Sequence, residues 1–600
     1  MSTQAATTTD GYKIGHIDQY QPGTTRVVSN WTPRKSRIKG IDKVVFFGQQ
    51  YLIKKWYMEE FTNTFFSIPK EVAIKKYFRR INNYLPPGSK VETKHIAALW
   101  DLQFLPITIY SIPEGASSSM RIPQSVVYNS EGYDDFFWIV NYLETVSSCT
   151  VWKPSTSATV SKEYRKIFEK YAMETVGNCD FVPFQGHDFS MRGMSGVEDA
   201  CASGAGHLLN FVGTDTIPAI DWLEKYYNAD CEKELIGCSV AATEHAVMCS
   251  GTGFYIWDKH NGDWNYQGKA ELAVFKRLIT EVYPSGIVSI VSDTWDLWKV
   301  VIDYLVELKD VVLAREGKLV IRPDSGDPVE ILCGIQIEEI IAKNYEEFLA
   351  KIKSSLHDEL IENTPHGEDG GDASRHFKWD NKIYNATYSP EWNRYDKQYY
   401  YIDSYGEGNI SAKEVKLSPA QIGVIELLWN NFGGTVTESG YRLLDSHIGT
   451  IYGDSITLMR ASDMCKRLKD KGFASINWVA GIGSYTYQMQ TRDTFGFAQK
   501  STYCEVKVST QNGEFKTYHI DIFKDPITDD GTKKSAKGIT AVFQDANGEY
   551  YLKDQATWEE LKNCAFLKIF ENGVLLKDFT LQEIRDNIRK EVSSPVLQTA

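Results

Sequence analysis

The chain has 600 residues, 42% of them hydrophobic, and a formal net charge of −14; that length predicts two or three domains rather than one. No basic stripe balances its 79 acidic residues, which argues against a nucleic-acid-backbone binder while leaving room for a small anionic substrate held by a few local Arg and Lys side chains. No apolar run approaches the roughly 20 residues of a spanning helix, and ten cysteines without a Cys-x-x-Cys spacing suit reduced thiols, so the expected location is cytoplasmic.

The opening MSTQAATTTDGYK lacks a charged-then-apolar signal design and reads as a short disordered lead. Residues 1–178 mix aromatic, β-leaning stretches such as KVVFFGQQYLI with helical ones such as KEVAIKKYFRRINNYL, and are assigned to the first part of a β-rich domain. From 179 to 490 a rhythm takes over. HLLNFVGTDT, GCSVAATEHAVM, GIVSIVSDTWDLW, KLVIRPDSGDPVEIL, SHIGTIYGDSITLMRASDMCKRL and SINWVAGIGSYT each run apolar strand, polar loop, helix. Six such units predict a parallel α/β sheet or barrel. Its polar residues fall just after each strand, where the loops of a barrel converge on an active site. For a lone Asp or Thr there, a helix cap is the simpler reading, and Ser292, Asp293 and Thr294 are placed to cap a helix. Asp215, Glu244 with His245, Asp293, Arg322 with Asp324, and Asp454 together are harder to assign to caps.

Between about 335 and 440 the rhythm breaks. IEEIIAKNYEEFLAKIKSSL predicts an amphipathic helix, NTPHGEDGGDASRH an acidic Gly-rich loop, KQYYYIDSYGEGN an exposed hairpin or loop, and LSPAQIGVIELLWNNFGG one more helix, as an insertion between two barrel units. From 491 to 600, STYCEVKVST, TYHIDIFKD and KGITAVFQDANGEYYL alternate as strands with hairpin turns. Strands at both ends imply that N- and C-terminal segments share one β-rich domain.

Several constellations carry chemistry. VAGIGSYT puts Gly481, Gly483 and Ser484 at a strand end, as a tight turn or a phosphate cradle, and the Gly453-Asp454-Ser455 loop adds a second close approach. Arg492, Lys500, Lys524, Lys533, Lys534 and Lys537, with Arg34 and Lys35 if the two ends meet, are either solvated charges or a polyphosphate grip. In GHDFSMRG, His187 and Asp188 read as loop residues bonding the backbone, whereas Phe189 before Arg192 suits the wall of a flat ring. His245 is a helix-start histidine held by a neighbouring carboxylate, or a nucleophile or proton carrier. In VIRPDSGDP the Pro323 turn aims Arg322 and Asp324 into one small volume, an anion clamp beside a hydroxyl acceptor, as a ribose phosphate requires.

GHDFSMRGMSG, NFVGTDT, SVAATEHAV, SIVSDTWD, VIRPDSGDP, YGDS, TRD and FKDP stand in the order found in nicotinamide phosphoribosyltransferases, and the chain resembles that family over nearly its whole length. The resemblance implies a type II phosphoribosyltransferase: an irregular α/β barrel with a β-rich, sandwich-like domain, in a homodimer with shared active sites. It implies transfer of phosphoribose from phosphoribosyl pyrophosphate to nicotinamide for NAD salvage, with Mg²⁺, and with ATP acting through a phosphohistidine at His245. It places Arg192 and Arg322 by pyrophosphate and nucleotide, Asp324 on the ribose, Asp293 near ribose and metal, and Ser289 on the base-pocket wall. Phe189 and the second subunit's Tyr12 would sandwich the base, while Gly453, Asp454, Gly483 and Ser484 would hold the 5′-phosphate. Arg492 and Lys500 would reach in from the partner, and Arg34, Lys500, Lys524 and Lys533 would contact pyrophosphate. Asp215 would accept the nicotinamide N–H and repel nicotinic acid. Two features depart from the family: the phosphate loop reads Gly481-Ile482-Gly483-Ser484, and the 335–440 segment is far longer than in animal members. A nicotinate phosphoribosyltransferase and a catalytically inactive binding homologue are the alternatives, and the set His245, Asp215, Arg322 and Asp324 argues against the second.

Overall fold

A computed structural model describes residues 3–364, 370–390, 392–395, 398–401, 408–453, 455–524, 526–528 and 535–592. Its centre is a parallel sheet of seven strands, β1 (Gly186–Asp188), β2 (Gly213–Thr214), β3 (Ala241–Ala242), β4 (Ser285–Val291), β5 (Glu316–Arg322), β6 (Ile448–Tyr452) and β7 (Trp478–Ile482). They pair in the order β2-β1-β7-β6-β5-β4-β3. The segment entering β3 joins the two edges: Cys238 donates its N–H to Val212 O at 2.7 Å and accepts Thr214 N–H at 2.9 Å, bridging β2 in parallel. The curled sheet thus meets itself as an irregular barrel.

Alternation along the long strands decides what faces inward. Val288 and Ile290 of β4, and Leu319 and Ile321 of β5, are fully buried in the core outside the barrel. Ile287, Ser289, Val320 and Arg322 line its interior. Helices α1 (Glu144–Thr175), α2 (Pro218–Tyr227), α3 (His245–His260) and α4 (Pro328–Cys333) surround it. The six predicted units are present, and β1 is a seventh strand drawn from GHD, which the sequence reading treats as loop. Three residues with two polar side chains give no apolar run; the strand exists because β2 and β7 pair with it on either side.

A second sheet of seven strands is antiparallel. Thr24–Thr32, Ile107–Ser111 and Ser125–Asn129 combine with Ala498–Ser509, Phe515–Asp521, Leu567–Glu571 and Val574–Leu575. Val27 lies opposite Cys504, and Val28 opposite both Tyr503 and Tyr128, so the two ends of the chain share one β-rich domain. Helix α1 bonds this domain to the barrel. Its Val146, Val151 and Ala158 belong to the first core, and Val160, Tyr164 and Phe168 to the second. Lys153 Nζ donates to Tyr487 O at 2.8 Å, and Tyr164 Oη to Ile456 O at 2.6 Å.

The N-terminal lead is docked rather than disordered from residue 3 on. Ala5 and Ala6 are buried, Ala5 N–H donates to Thr64 Oγ1 at 2.9 Å, and Gln4 Nε2 to Ala73 O at 3.1 Å; small side chains let the backbone approach a helix closely. The insertion forms a module with its own core. Helix α5 (Tyr345–Asn363) packs Phe348, Ile352 and Leu356 on strands Ala373–Trp379, Lys382–Ser389 and Asn409–Glu414. A hairpin pairs Trp392–Tyr395 with Gln398–Tyr401; residues 365–369 of the Gly-rich stretch and 402–407 lie outside the described residues. The last predicted helix is two, Pro419–Ile422 and Val424–Phe432, parted at Gly423.

Candidate active site

The ends of β2, β4 and β5 are followed by Asp215, Asp293 and Asp324, and none of the three caps a helix. Asp296, not Asp293, caps the turn after β4 by accepting Trp298 and Lys299 N–H. Asp327 does the same for α4 through Val329 and Glu330 N–H, and no side chain caps α2. Asp293, Asp324 and Asp215 are therefore released from capping. Asp293 Oδ2 accepts Asp324 N–H and Ser325 N–H at 2.8 Å each and Ser325 Oγ at 2.6 Å, while its Oδ1 is buried without a partner. This ties the β4 loop to the β5 loop and fixes Asp324.

Arg322 ends β5 with its guanidinium bonded to Thr243 O. Burial lowers its pKa from the ordinary value, the charges of Asp324, Asp215 and Asp293 oppose that, and Arg192 adds to it. Arg192 sits in the exposed turn after β1. Ser484 faces that turn, since a Cβ on Gly193 would meet Ser484 Oγ. Gly453 follows β6, donates its N–H to Pro323 O at 3.3 Å, and lies so close that an added Cβ would stand 2.5 Å from Asp324 Oδ1. His245 opens α3 with its side chain 47% exposed; Nε2 is 3.9 Å from Asp324 Oδ2 and Nδ1 is 3.1 Å from Thr294 Oγ1. The carboxylate beside it is thus Asp324, not the adjacent Glu244.

Below this rim the barrel holds a cavity of about 330 Å³ lined by Phe189, Asp215, Ser289 and Arg322, with His187 and Ser239 also in its wall. Asp215 Oδ1 accepts His187 Nε2 at 2.8 Å and Ser239 Oγ at 2.6 Å. Burial works to raise the Asp215 carboxyl, but those two bonds and the charges of His187 and Arg322 outweigh it and hold it below its ordinary value. Ser289 Oγ is buried without a partner. The Phe189 ring is tilted 40° against His187, with centroids 4.5 Å apart, and lies against Gly481, where an added Cβ would come within 2.8 Å of the ring and 2.4 Å of Tyr452 O. That contact is why β7 has glycine at this position.

The basic residues gather elsewhere. Arg34, Lys500 and Lys524 line a cavity of about 130 Å³ at the β-rich domain; Lys500 pairs with Glu144 Oε1 at 3.0 Å, and Glu144 Oε2 with Lys13 at 2.7 Å. Arg492 pairs with Asp493, and Tyr12, 63% exposed, meets His16 edge-on. None of these lines the barrel cavity of their own chain. Asp454 and Lys533 lie outside the described residues. The sequence did not mark His187 as a site residue, it marked Thr294 only as a helix-cap candidate, and it gave no sign of Ser239, Thr243 or Ser325. His187 carried a signal, since it stands two residues before Phe189, just past the end of β1, and both side chains line the same cavity.

Over 596 residues the chain is 39% identical to a nicotinamide phosphoribosyltransferase of Acinetobacter baylyi, covering 98% of this chain and 97% of that one. The chain belongs to the nicotinamide phosphoribosyltransferases. The family model of the nicotinate phosphoribosyltransferase family matches residues 184–361 and 405–563, and that of the nicotinamide phosphoribosyltransferase N-terminal domain matches 4–82. Further family members match from Mycoplasma pneumoniae, 29% identical over 88% of this chain and 93% of the relative, and Xanthomonas campestris, 26% identical over 96% of each. Among solved structures, human nicotinic acid phosphoribosyltransferase aligns over 98% of this chain and 94% of its own at 12% identity and a TM-score of 0.44. Among the described residues no helix is long and apolar enough to cross a membrane.

Proposed function

We propose that the chain transfers phosphoribose from phosphoribosyl pyrophosphate to nicotinamide, giving nicotinamide mononucleotide and pyrophosphate for NAD synthesis. The observation that carries the reading is Asp215, a carboxylate held by His187 and Ser239 in a barrel cavity with Phe189 and Arg322. Phe189 stacks the pyridine ring. Asp215 accepts an amide N–H, and the unpartnered Ser289 hydroxyl is available to the amide oxygen. The ring nitrogen lone pair forms the new bond to the anomeric carbon as the bond to pyrophosphate oxygen breaks. Positive charge that develops on the ribose faces the fixed carboxylates of Asp324 and Asp293, and Asp324 receives ribose hydroxyls. Arg322, with Arg192 beside the Ser484 loop, draws the phosphate charge, and Gly453, Asp454 and Gly483 belong to the 5′-phosphate end.

A Mg²⁺ ion would be held by one or two carboxylates and otherwise by substrate oxygens. The buried unpartnered Oδ1 of Asp293 beside Asp324 is the matching donor. An ion held there would supply charge neutralisation for the departing pyrophosphate. His245, exposed and bonded through Nδ1 to Thr294, has its Nε2 available to accept a phosphoryl group from ATP. A homodimer completes the site: exposed Tyr12 supplies the second face of the base, Arg492 reaches the 5′-phosphate end, and Arg34, Lys500, Lys524 and Lys533 supply pyrophosphate contacts across the interface. The exposed Val247, Phe254 and Trp257 of α3, together with Trp264, give that interface apolar side chains along the helix that His245 opens.

A product assay tests this. Protein, Mg²⁺ and phosphoribosyl pyrophosphate are offered nicotinamide or nicotinic acid, with and without ATP. Selective formation of nicotinamide mononucleotide, faster with ATP, is expected. Preference for nicotinic acid overturns the reading of Asp215, and no product from either base leaves the chain a binding homologue.

A further inference from the structure

The two oxygens of Asp215 are unequal. Oδ1 takes both donors, His187 Nε2 at 2.8 Å and Ser239 Oγ at 2.6 Å, and Oδ2 takes none among the described residues. The donors come from two separate segments, β1 and the link into β3, so the carboxylate cannot turn without losing one of them. Its backbone is fixed from a third direction, Asp215 N–H donating to Asp188 O at 2.9 Å. Asp188 is itself anchored: fully buried, it accepts Ser190 N–H at 2.9 Å and Thr216 Oγ1 at 2.8 Å. The His187 ring is held in turn by Phe189 at 4.5 Å and by the Gly213 backbone, where an added Cβ would come 2.8 Å from Nδ1.

We propose that His187 and Ser239 are specificity-determining positioning residues, which occupy one oxygen of Asp215 so that the pocket presents a single fixed acceptor to a carboxamide N–H. A carboxylate free to rotate would offer either oxygen to a ligand or to water, and its charge would no longer stand at one point in the wall. Selection between an uncharged amide and its acid is then a property of the three residues together. This rests on the base pocket receiving nicotinamide, and it deepens that reading by assigning where the choice is enforced.

The test compares His187→Phe, which keeps a flat ring against Phe189 but has no donor, with His187→Gln, which keeps a donor of similar reach, and with Ser239→Ala. Initial rates give kcat and KM for nicotinamide, KM for phosphoribosyl pyrophosphate, and the ratio of kcat/KM between nicotinamide and nicotinic acid. Loss of one bond to a charged acceptor predicts a KM for nicotinamide raised about tenfold or more and a similar fall in that ratio. The kcat and the KM for phosphoribosyl pyrophosphate are expected to change less than about threefold, and Gln to recover most of the loss. If His187→Phe does not fold, Ser239→Ala alone carries the expectation. Equal falls in kcat for both bases with an unchanged ratio would sink the proposal, as would a Phe variant indistinguishable from the parent. A parent protein that does not favour nicotinamide would instead overturn the underlying functional reading, and the proposal with it.

Discussion

Replacing Asp215 with Asn removes one negative charge from the base pocket while leaving its shape nearly unchanged. The amide oxygen of Asn can still accept from His187 and Ser239, so the residue stays anchored, and its Nδ2 replaces the free Oδ2. With the parent residue, the carboxylate of nicotinic acid would stand about 4 Å from Asp215, where two unit charges repel by about 1 kcal/mol in bulk water and about 4 kcal/mol at an effective dielectric near 20. The Asp215 side chain is 46% exposed, which selects the lower part of that range. A penalty of about 2 kcal/mol corresponds to roughly 30-fold in base selectivity. Asp215→Asn is therefore expected to shift the nicotinamide-to-nicotinate ratio of kcat/KM by about that factor, and Nδ2 facing an amide N–H should also weaken nicotinamide itself. The assay is initial-rate product formation with each base at saturating phosphoribosyl pyrophosphate. A ratio within about threefold of the parent would show that the Asp215 charge does not discriminate.

Three further outcomes follow from the geometry. His245→Ala should abolish stimulation by ATP while leaving transfer without ATP measurable; a variant still fully stimulated refutes the phosphohistidine role. Gly481→Ala places a Cβ 2.4 Å from Tyr452 O and 2.8 Å from the Phe189 ring, so it should cost about 1–3 kcal/mol of stability and raise KM for nicotinamide, read by melting and kinetics. Burial pushes the Glu271 carboxyl up to about 7 from an ordinary 4.5, with hydrogen bonds from Gln267 and Tyr304 only partly opposing it. A group raised in this way contributes stability that is full below about pH 4.5 and is lost as pH rises toward 7, at most about 3 kcal/mol. Glu271→Gln should flatten that decline, and a melting temperature falling equally in both proteins between pH 5 and 7 would contradict it.

The long barrel strands were legible because β4 and β5 carry apolar runs that end in polar loops, and the partnership of the chain's two ends was legible from strand alternation on both sides. Two kinds of element were not. Strand β1 has no pattern of its own and exists only through its neighbours. Helix α1 is built from TVSSCTVWKPSTSATVSK, whose Ser, Thr and internal proline speak against a helix; it forms because small side chains let it lie buried between two cores. In the site, Asp215, Asp293 and Asp324 were found from position after a strand. Their release from capping was not readable, because Asp296 and Asp327 are equally placed by spacing and only the folded loops distinguish them. His187 was hidden for the opposite reason, since its partner Asp215 lies 28 residues away and only the pairing of β1 with β2 brings them together.

The insertion leaves and re-enters the barrel at one point. Ile335 N–H donates to Gln421 O at 2.9 Å, and Lys471 Nζ bonds both Cys333 O and Ile422 O at 2.8 Å, tying the outgoing and returning strands of chain together. Gly334 and Gly423, at φ of 70° and 90°, cross so closely that a Cβ on Gly334 would lie 2.2 Å from Ile422 O and one on Gly423 2.3 Å from Gly334 N. To the barrel, everything between is a single tight turn joining α4 to the next helix. Whatever is added beyond that neck changes the outline of the molecule without lengthening the path between β5 and β6, so the module can be resized or exchanged while the loops that carry Arg322, Asp324 and Gly453 keep their spacing.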